Sequence, residues 1–299
     1  VLNKPSGITS QTAVTAARKA FGVRKIGHCG TLDPMAEGVL PLMIGNATKA
    51  CDLLMDHEKT YVATFRPGVE TDTEDVTGTV LRTCEGPLPS FLEFREAAES
   101  FRGQIEQVPP MYSALKNDGQ KLVDLARKGV EVERKPRTVQ ISDISASEDP
   151  ETGAWTLSVR CSRGTYIRTL CADIGRKLGC GGCMASLLRT SVGSFRLEDS
   201  LTLDQMKEMA PEELEKKLIP LSDVFSAFPA VFLPPFQEKL YANGERILLS
   251  RLPRELTCSW KEGDRLRIYL KSRPEDLHSL ADVRPSENGP ELVSAVRFF

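Results

Sequence analysis

The order of apolar and polar residues along this chain changes period several times, and each change marks an element. Residues 10 to 21 read as a helix ended by Gly22. A further helix is expected from about Ala47. From Lys59 to Arg66 the pattern alternates, with Tyr61, Ala63 and Phe65 on one side, as in a half-buried strand; Val76 to Arg82 offers a second strand. Ser90 with Glu93 forms a capping box for a helix that should stop by Gly103. Residues 107 to 128 read as a basic loop followed by a short helix. Arg137 to Ser145 and Trp155 to Ser162 suit an antiparallel pair. Thr165 to Leu178 is helical, with Ile167, Leu170, Cys171, Ile174 and Leu178 on one face and Gly179 closing it. Thr202 with Gln205 caps another helix.

Prolines then cluster at 220, 229, 234 and 235. Beyond them the pattern is short and strand-like: Arg246 to Leu249, Thr257 to Trp260, Arg265 to Leu270 and Leu292 to Phe298. This predicts two domains, residues 1–225 and residues 229–299, the second a small β-barrel-like unit. The first mixes strands and helices without strict βαβ alternation. Its class is therefore α+β, with a mostly antiparallel sheet and flanking helices.

Composition narrows the class. The 299 residues are 40% hydrophobic and 27% charged, an ordinary globular balance. No apolar run approaches the roughly 18 residues of a membrane span. Residues 1 to 10 show no secretory pattern, so a cytoplasmic protein is expected; without an initiator Met, the native chain is expected to start upstream. Eight cysteines stand at no framework spacing and are expected to stay reduced. Cys180 and Cys183 form a lone close pair; a zinc knuckle would need a second, so no metal is expected. The net charge is −2, yet charge is uneven: residues 160–196 hold seven Arg/Lys against one acid, Asp173. Local basic patches of this kind suit nucleic acid even on an acidic chain.

Candidate chemistry sits in three blocks. Gly27 to Pro41, GHCGTLDPMAEGVLP, displays Asp33 between glycines and before Pro34, which pushes it toward extended geometry. Lys59-Thr60-Tyr61 opens a strand. Cys161 to Leu170, CSRGTYIRTL, is a strand–turn–helix junction carrying Tyr166 and Arg168. Separately, each has an ordinary structural meaning: a turn, a strand aromatic, a solvated helical charge.

Together, in this order, the blocks closely resemble the TruB family of bacterial tRNA pseudouridine-55 synthases. Lys4-Pro5-Ser6-Gly7 and Val108 to Lys116, VPPMYSALK, match as well. The likeness is strong over residues 1–225 and faint beyond, where it suggests a divergent PUA-type RNA-binding domain. Asn3 departs from the Asp common before Lys-Pro. The resemblance implies a pseudouridine-synthase fold, and an isomerase that converts one uridine in the T loop of tRNA, position 55, to pseudouridine. Asp33 would be the catalytic carboxylate, acting at the sugar carbon or on the base. Tyr61 is the candidate proton acceptor, although its reference pKa is about 10. Arg168 would hold Asp33 ionised through a bidentate contact. His28, Tyr61, Tyr166 and Leu187 would line the pocket for the flipped base. Lys4, Lys116 and the basic runs 116–128 and 134–137, within an insertion at about 104–137, would grip RNA. The reaction breaks one C–N bond and forms one C–C bond with no net oxidation, so no cofactor and no obligate protein partner are expected. Rival readings are a guide-RNA-dependent relative, a non-catalytic RNA-binding protein or tRNA folding chaperone on the same scaffold, and a zinc module at Cys180 and Cys183.

Overall fold

A computed structural model describes residues 1–298. Chain contacts divide it into two compact units. The first comprises Val1–Ala17, His28–Leu42 and Leu53–Lys207. The second comprises Arg18–Gly27, Met43–Asp52 and the chain from Glu208 onward.

The first unit is built on a nine-stranded sheet. Its strands are β1 (Leu2–Lys4), β2 (Glu37–Leu40), β3 (Lys59–Pro67), β4 (Gly103–Gln107), β5 (Arg137–Glu148), β6 (Trp155–Cys161), β7 (Gly182–Val192), β8 (Phe195–Arg196) and β9 (Leu201–Thr202). The order is β9-β1-β2-β7-β3-β6-β5-β4, with β8 paired to β7. The β9–β1 and β2–β7 pairs are parallel, and the others on this sheet are antiparallel. The fold is α+β, as the irregular strand and helix order predicted.

Strand β3 follows the expected alternation, burying Lys59, Tyr61, Ala63 and Phe65. It lies between β7 and β6, so its buried face anchors the core. Three helices matter to the site: α1 (Ser10–Phe21), α2 (Phe91–Glu99) and α3 (Ile167–Lys177). Helix α1 buries Ser10, Ala13, Val14 and Ala17, one face at helical spacing. Helix α2 starts at the predicted box: Ser90 Oγ accepts from Glu93 N at 3.3 Å, and Ser90 N donates to Glu93 Oε2 at 2.8 Å. It ends at Glu99, and Gly103 opens β4 instead of closing the helix. Phe94 stacks on Phe65 at 4.7 Å and on Trp155 at 4.9 Å between ring centroids.

Helix α3 packs on β7 by backbone contact. A Cβ on Gly175 would stand 2.3 Å from Gly182 N. Only glycine at this point lets the helix approach so closely. Its buried face includes Ile167, Leu170, Cys171 and Ile174.

Several elements differ from expectation. Residues from Ala47 form the end of a 3₁₀ turn, Gly45–Ala50, followed by a short helix, Cys51–Met55. The second strand begins at Val80, not Val76. The reason is Asp75, whose carboxylate accepts from Thr77 N at 2.9 Å and Thr73 Oγ1 at 2.9 Å and closes a turn there.

The second unit contains a half-barrel sheet, β10 (Ala230–Leu233), β11 (Ile247–Leu248), β12 (Arg265–Leu270), β13 (Arg273–Arg284) and β14 (Glu291–Arg297), in the order β10-β12-β13-β14-β11. Its core includes Val231, Leu266, Ile268, Ala281, Val283 and Leu292. The expected strand at Thr257 to Trp260 is absent: Arg254–Thr257 is a helical turn after Pro253.

Candidate active site

Asp33 sits on the loop between the short strand Ile26–His28 and β2. Its carbonyl accepts from Ala36 N at 3.1 Å, closing a tight turn. Two buried cations hold this loop from opposite ends. On one side is Lys4, which is fully buried. Its Nζ donates to Pro5 O at 2.8 Å, Ile8 O at 2.8 Å and Pro34 O at 3.3 Å. On the other is Arg189, 1% exposed on β7. Its Nε donates to Val39 O at 2.7 Å, and Nη2 to Gly30 O at 3.1 Å. Ser10 adds a third tie, giving its hydroxyl to Leu32 O and accepting from Leu32 N. The backbone around Asp33 is thus held while the side chain stays 35% exposed.

Arg168 faces that side chain from the first turn of α3. Its Nη2 lies 3.5 Å from Asp33 Oδ2, and Nη1 lies 3.9 Å from Asp75 Oδ2. The same Nη2 donates to Tyr112 O. The bidentate pair expected from sequence is therefore replaced by a shared contact: one guanidinium touches two carboxylates and a carbonyl. Its carbon also lies 5.8 Å from the Tyr166 ring centroid. Asp75 is 3% exposed and its Oδ1 is saturated by Thr73 and Thr77, so only Oδ2 faces Arg168.

Electrostatics follow from burial. Desolvation raises the pKa of Asp33, and the nearby Arg168 charge opposes that rise. Burial also raises the Tyr61 phenol, with Arg189 acting in the opposite sense. Tyr61 is therefore a neutral phenol at neutral pH. His28 is lowered by burial and by Arg189, and its Nδ1 is buried without a well-formed hydrogen bond. Burial lowers Lys4 to about 8 against the opposing pull of Glu37 and Asp33.

The other expected pocket residues sit on the strand before the Asp33 loop, on β3 and β7, and at the start of α3. The β7–β3 ladder sets Arg189 opposite Tyr61 and Leu187 opposite Ala63. Leu187 shares the core with Leu32 and Tyr61. Tyr166 precedes α3 and is half-buried. Lys116 is exposed on a small hairpin, Lys116–Asn117 with Gln120–Lys121. Lys4 has no free donor to offer RNA, since three carbonyls surround its ammonium; it holds the loop.

Comparison with known proteins identifies the family. A model described as TruB family pseudouridylate synthase (N terminal domain) matches residues 18–167. One described as tRNA pseudouridylate synthase B C-terminal domain matches residues 168–226. A protein named tRNA pseudouridine synthase B from Alkaliphilus oremlandii is 45% identical over 294 residues, covering 98% of this chain and 95% of its own.

The chain belongs to the TruB family of pseudouridylate synthases.

A relative of the same name from Burkholderia pseudomallei is 42% identical over 271 residues, covering 90% of this chain and 88% of its own. Among solved structures, an archaeal box H/ACA sRNP Nop10–Cbf5 complex superposes with a TM-score of 0.69 at 24% identity, covering 100% of this chain and 85% of that one. A Cbf5–Nop10–Gar1 complex gives 0.69 at 25%, covering 100% and 84%.

Three residues of this TruB-family site were not singled out from sequence. Arg189 is a charge inside an apolar run, MASLLRTSV, which was its only signal. Asp75 was hidden in an acidic, threonine-rich stretch. Gln107 closes β4 and bonds the backbone of Tyr166. A cleft of about 410 Å³, lined by Asp72, Glu74, Tyr112, Glu131 and Arg134 among others, does not include Asp33, Tyr61 or Arg168. Its several carboxylates make it a poor host for phosphate. Cys180 and Cys183 are both buried, with their thiols raised by burial. No helix among the described residues is long and apolar enough to cross a membrane.

Proposed function

We propose that this enzyme isomerises one uridine of the tRNA T loop, position 55, to pseudouridine, in the cytoplasm and without cofactor. The observation that carries the reading is the Asp33–Arg168 contact: a partly exposed carboxylate 3.5 Å from a buried guanidinium, on a loop held by Lys4 and Arg189. Such an arrangement suits charge development at a substrate held outside the protein core.

The target base must leave the RNA stack to reach Asp33. Tyr166, Leu187 and His28 receive it, the first two by their flat or apolar surfaces. The C1′–N1 bond then breaks, and its electron pair goes to the base. The ionised Asp33 compensates the electron-deficient sugar carbon or attacks covalently, at that carbon or at the base. The base turns, C5 bonds to C1′, and the C5 proton leaves as N1 gains one. Atoms balance with no added reagent. Tyr61 is the group assigned to take part in that proton transfer. It would act from its neutral form, relaying rather than storing a negative charge. Asp75 and the Tyr112 carbonyl fix Arg168, and Arg168 aims Asp33.

Residues 229–299 act as an RNA-docking domain of PUA type, and residues 1–225 as the catalytic domain. Lys116 and the basic runs on the insertion contact phosphates of the T arm. Incubation with an unmodified tRNA transcript, without guide RNA or added protein, tests the reading. Chemical mapping should find one pseudouridine, at position 55. No product, or product scattered over several uridines, would contradict it.

A further inference from the structure

We propose that Gln107 is a positioning residue for this reaction, setting the start of helix α3 and with it the aim of Arg168 at Asp33. The inference rests on the isomerase reading above. Gln107 is 2% exposed and ends strand β4, where the chain departs into the basic insertion. Its side-chain amide grips both backbone groups of one residue: Tyr166 N donates to Gln107 Oε1 at 2.8 Å, and Gln107 Nε2 donates to Tyr166 O at 3.0 Å. No side chain caps α3 at Tyr166, and the clamp gives a partner to one of the N–H groups that the helix start leaves without an internal one, Tyr166 N. The Tyr166 carbonyl also accepts the first helical bond, from Leu170 N at 3.0 Å. Gln107 therefore fixes the residue two before Arg168 in both directions along the backbone.

A second tie leads from the same insertion. Tyr112, five residues after Gln107, presents its carbonyl to Arg168 Nη2. The segment 107–112 thus touches the catalytic helix at Tyr166 and at Arg168. An amide fits this place for a physical reason: it supplies one donor and one acceptor at the spacing of a peptide group. A buried apolar replacement would leave a backbone donor without a partner and the carbonyl with only its helical bond. The first turn would then settle elsewhere, and a guanidinium held by contacts of 3.5 and 3.9 Å would lose its register.

The test uses full-length enzyme and an unmodified T-arm hairpin. Wild-type conversion is measured first; its absence would overturn the isomerase reading and this proposal with it. Gln107→Met keeps volume and removes both hydrogen bonds. It should lower saturating single-turnover rate at least tenfold while RNA affinity stays within about twofold. Gln107→Glu provides the discriminating arm and covers a Met variant that fails to fold. When ionised, Glu cannot donate to Tyr166 O; when protonated, it is nearly isosteric with Gln. Its rate relative to wild type at the same pH should therefore recover as pH falls. Hydrogen exchange at the Tyr166 amide should be slow in wild type and fast in Gln107→Met. A Met variant with lost Tyr166 protection but a rate within about twofold of wild type overturns the proposal and leaves the isomerase reading intact. So does a Glu variant whose relative rate is flat with pH, or a loss confined to RNA affinity.

Discussion

On the proposed reading, the chemistry rests on a carboxylate that is costly to keep charged. Burial pushes the Asp33 pKa up and Arg168 pulls against it, with burial the larger influence. In that reading the active form is the anion, so the rate should fall on acidification as Asp33 protonates. The acid limb of the single-turnover pH profile should therefore lie above the ordinary carboxylate value of 3.8. Arg168→Met removes the opposing charge, so the limb should move further up. A limb that stays put in this variant would show that Arg168 has no electrostatic hold on Asp33. Arg168→Lys tests geometry instead of charge. A lysine cannot reach Asp33, Asp75 and the Tyr112 carbonyl with one planar group, and single-turnover rate should drop by roughly a hundredfold or more with RNA affinity little changed. Normal chemistry with weakened affinity would make Arg168 a phosphate contact.

Secondary-structure elements bring these residues together, and here glycine decides. Helix α3 carries Arg168 at its start and Gly175 at its contact with β7. A methyl at Gly175 would collide with backbone at Gly181 and Gly182, which cannot rotate away. Gly175→Ala should lower stability by about 2 kcal/mol or more in urea denaturation, since overpacking a rigid contact costs roughly 1–3 kcal/mol. A change within about 0.5 kcal/mol would show that the helix shifts freely. Much at this scale was legible in the sequence. Strand β3, helix α1, the capping box of α2 and the pairing of β5 with β6 all follow from periodicity and caps. Strand β7 was not legible, although it lies between β2 and β3. Its buried positions from Leu187 to Ser191 do alternate, but Arg189 and Ser191 are among them, so the hydropathy pattern hides the strand, and its Cys180-Gly181-Gly182-Cys183 entry resembles a loop. Strand β13 was missed because Arg273 to Asp276 is polar and exposed at its start. The contact between Asp33 and Arg168 was legible through motif order. Lys4 was misjudged because sequence shows a lysine's charge but not the three carbonyls around it. Asp75 was missed because its partner, Arg168, lies far along the chain.

The whole molecule is weakly acidic, with a formal net charge of −2, yet the reading requires it to bind a polyanion. Local patches must then carry the attraction, and the exposed Lys116 hairpin is one proposed for it. Binding of full-length tRNA should weaken as salt rises. Lys116→Ala should weaken it further and reduce the slope of log affinity against log salt by about one. Saturating single-turnover rate should not change, because Lys116 is assigned to a phosphate contact and not to the chemistry. An unaltered slope would remove Lys116 from the RNA interface. The residues assigned to chemistry, Asp33, Tyr61 and Arg168, lie in the first compact unit, and Lys116 lies in that unit too.

The central claim is that Asp33 performs the isomerisation. Its most direct test is single-turnover conversion of unmodified tRNA by wild type and by Asp33→Asn, with RNA affinity measured in parallel. The amide keeps the size of the carboxylate but neither its charge nor its nucleophilicity. The account predicts pseudouridine at position 55 with wild type, none with the variant, and similar affinity for both. Turnover by Asp33→Asn within about tenfold of wild type, a barrier change of only about 1.4 kcal/mol, would contradict it.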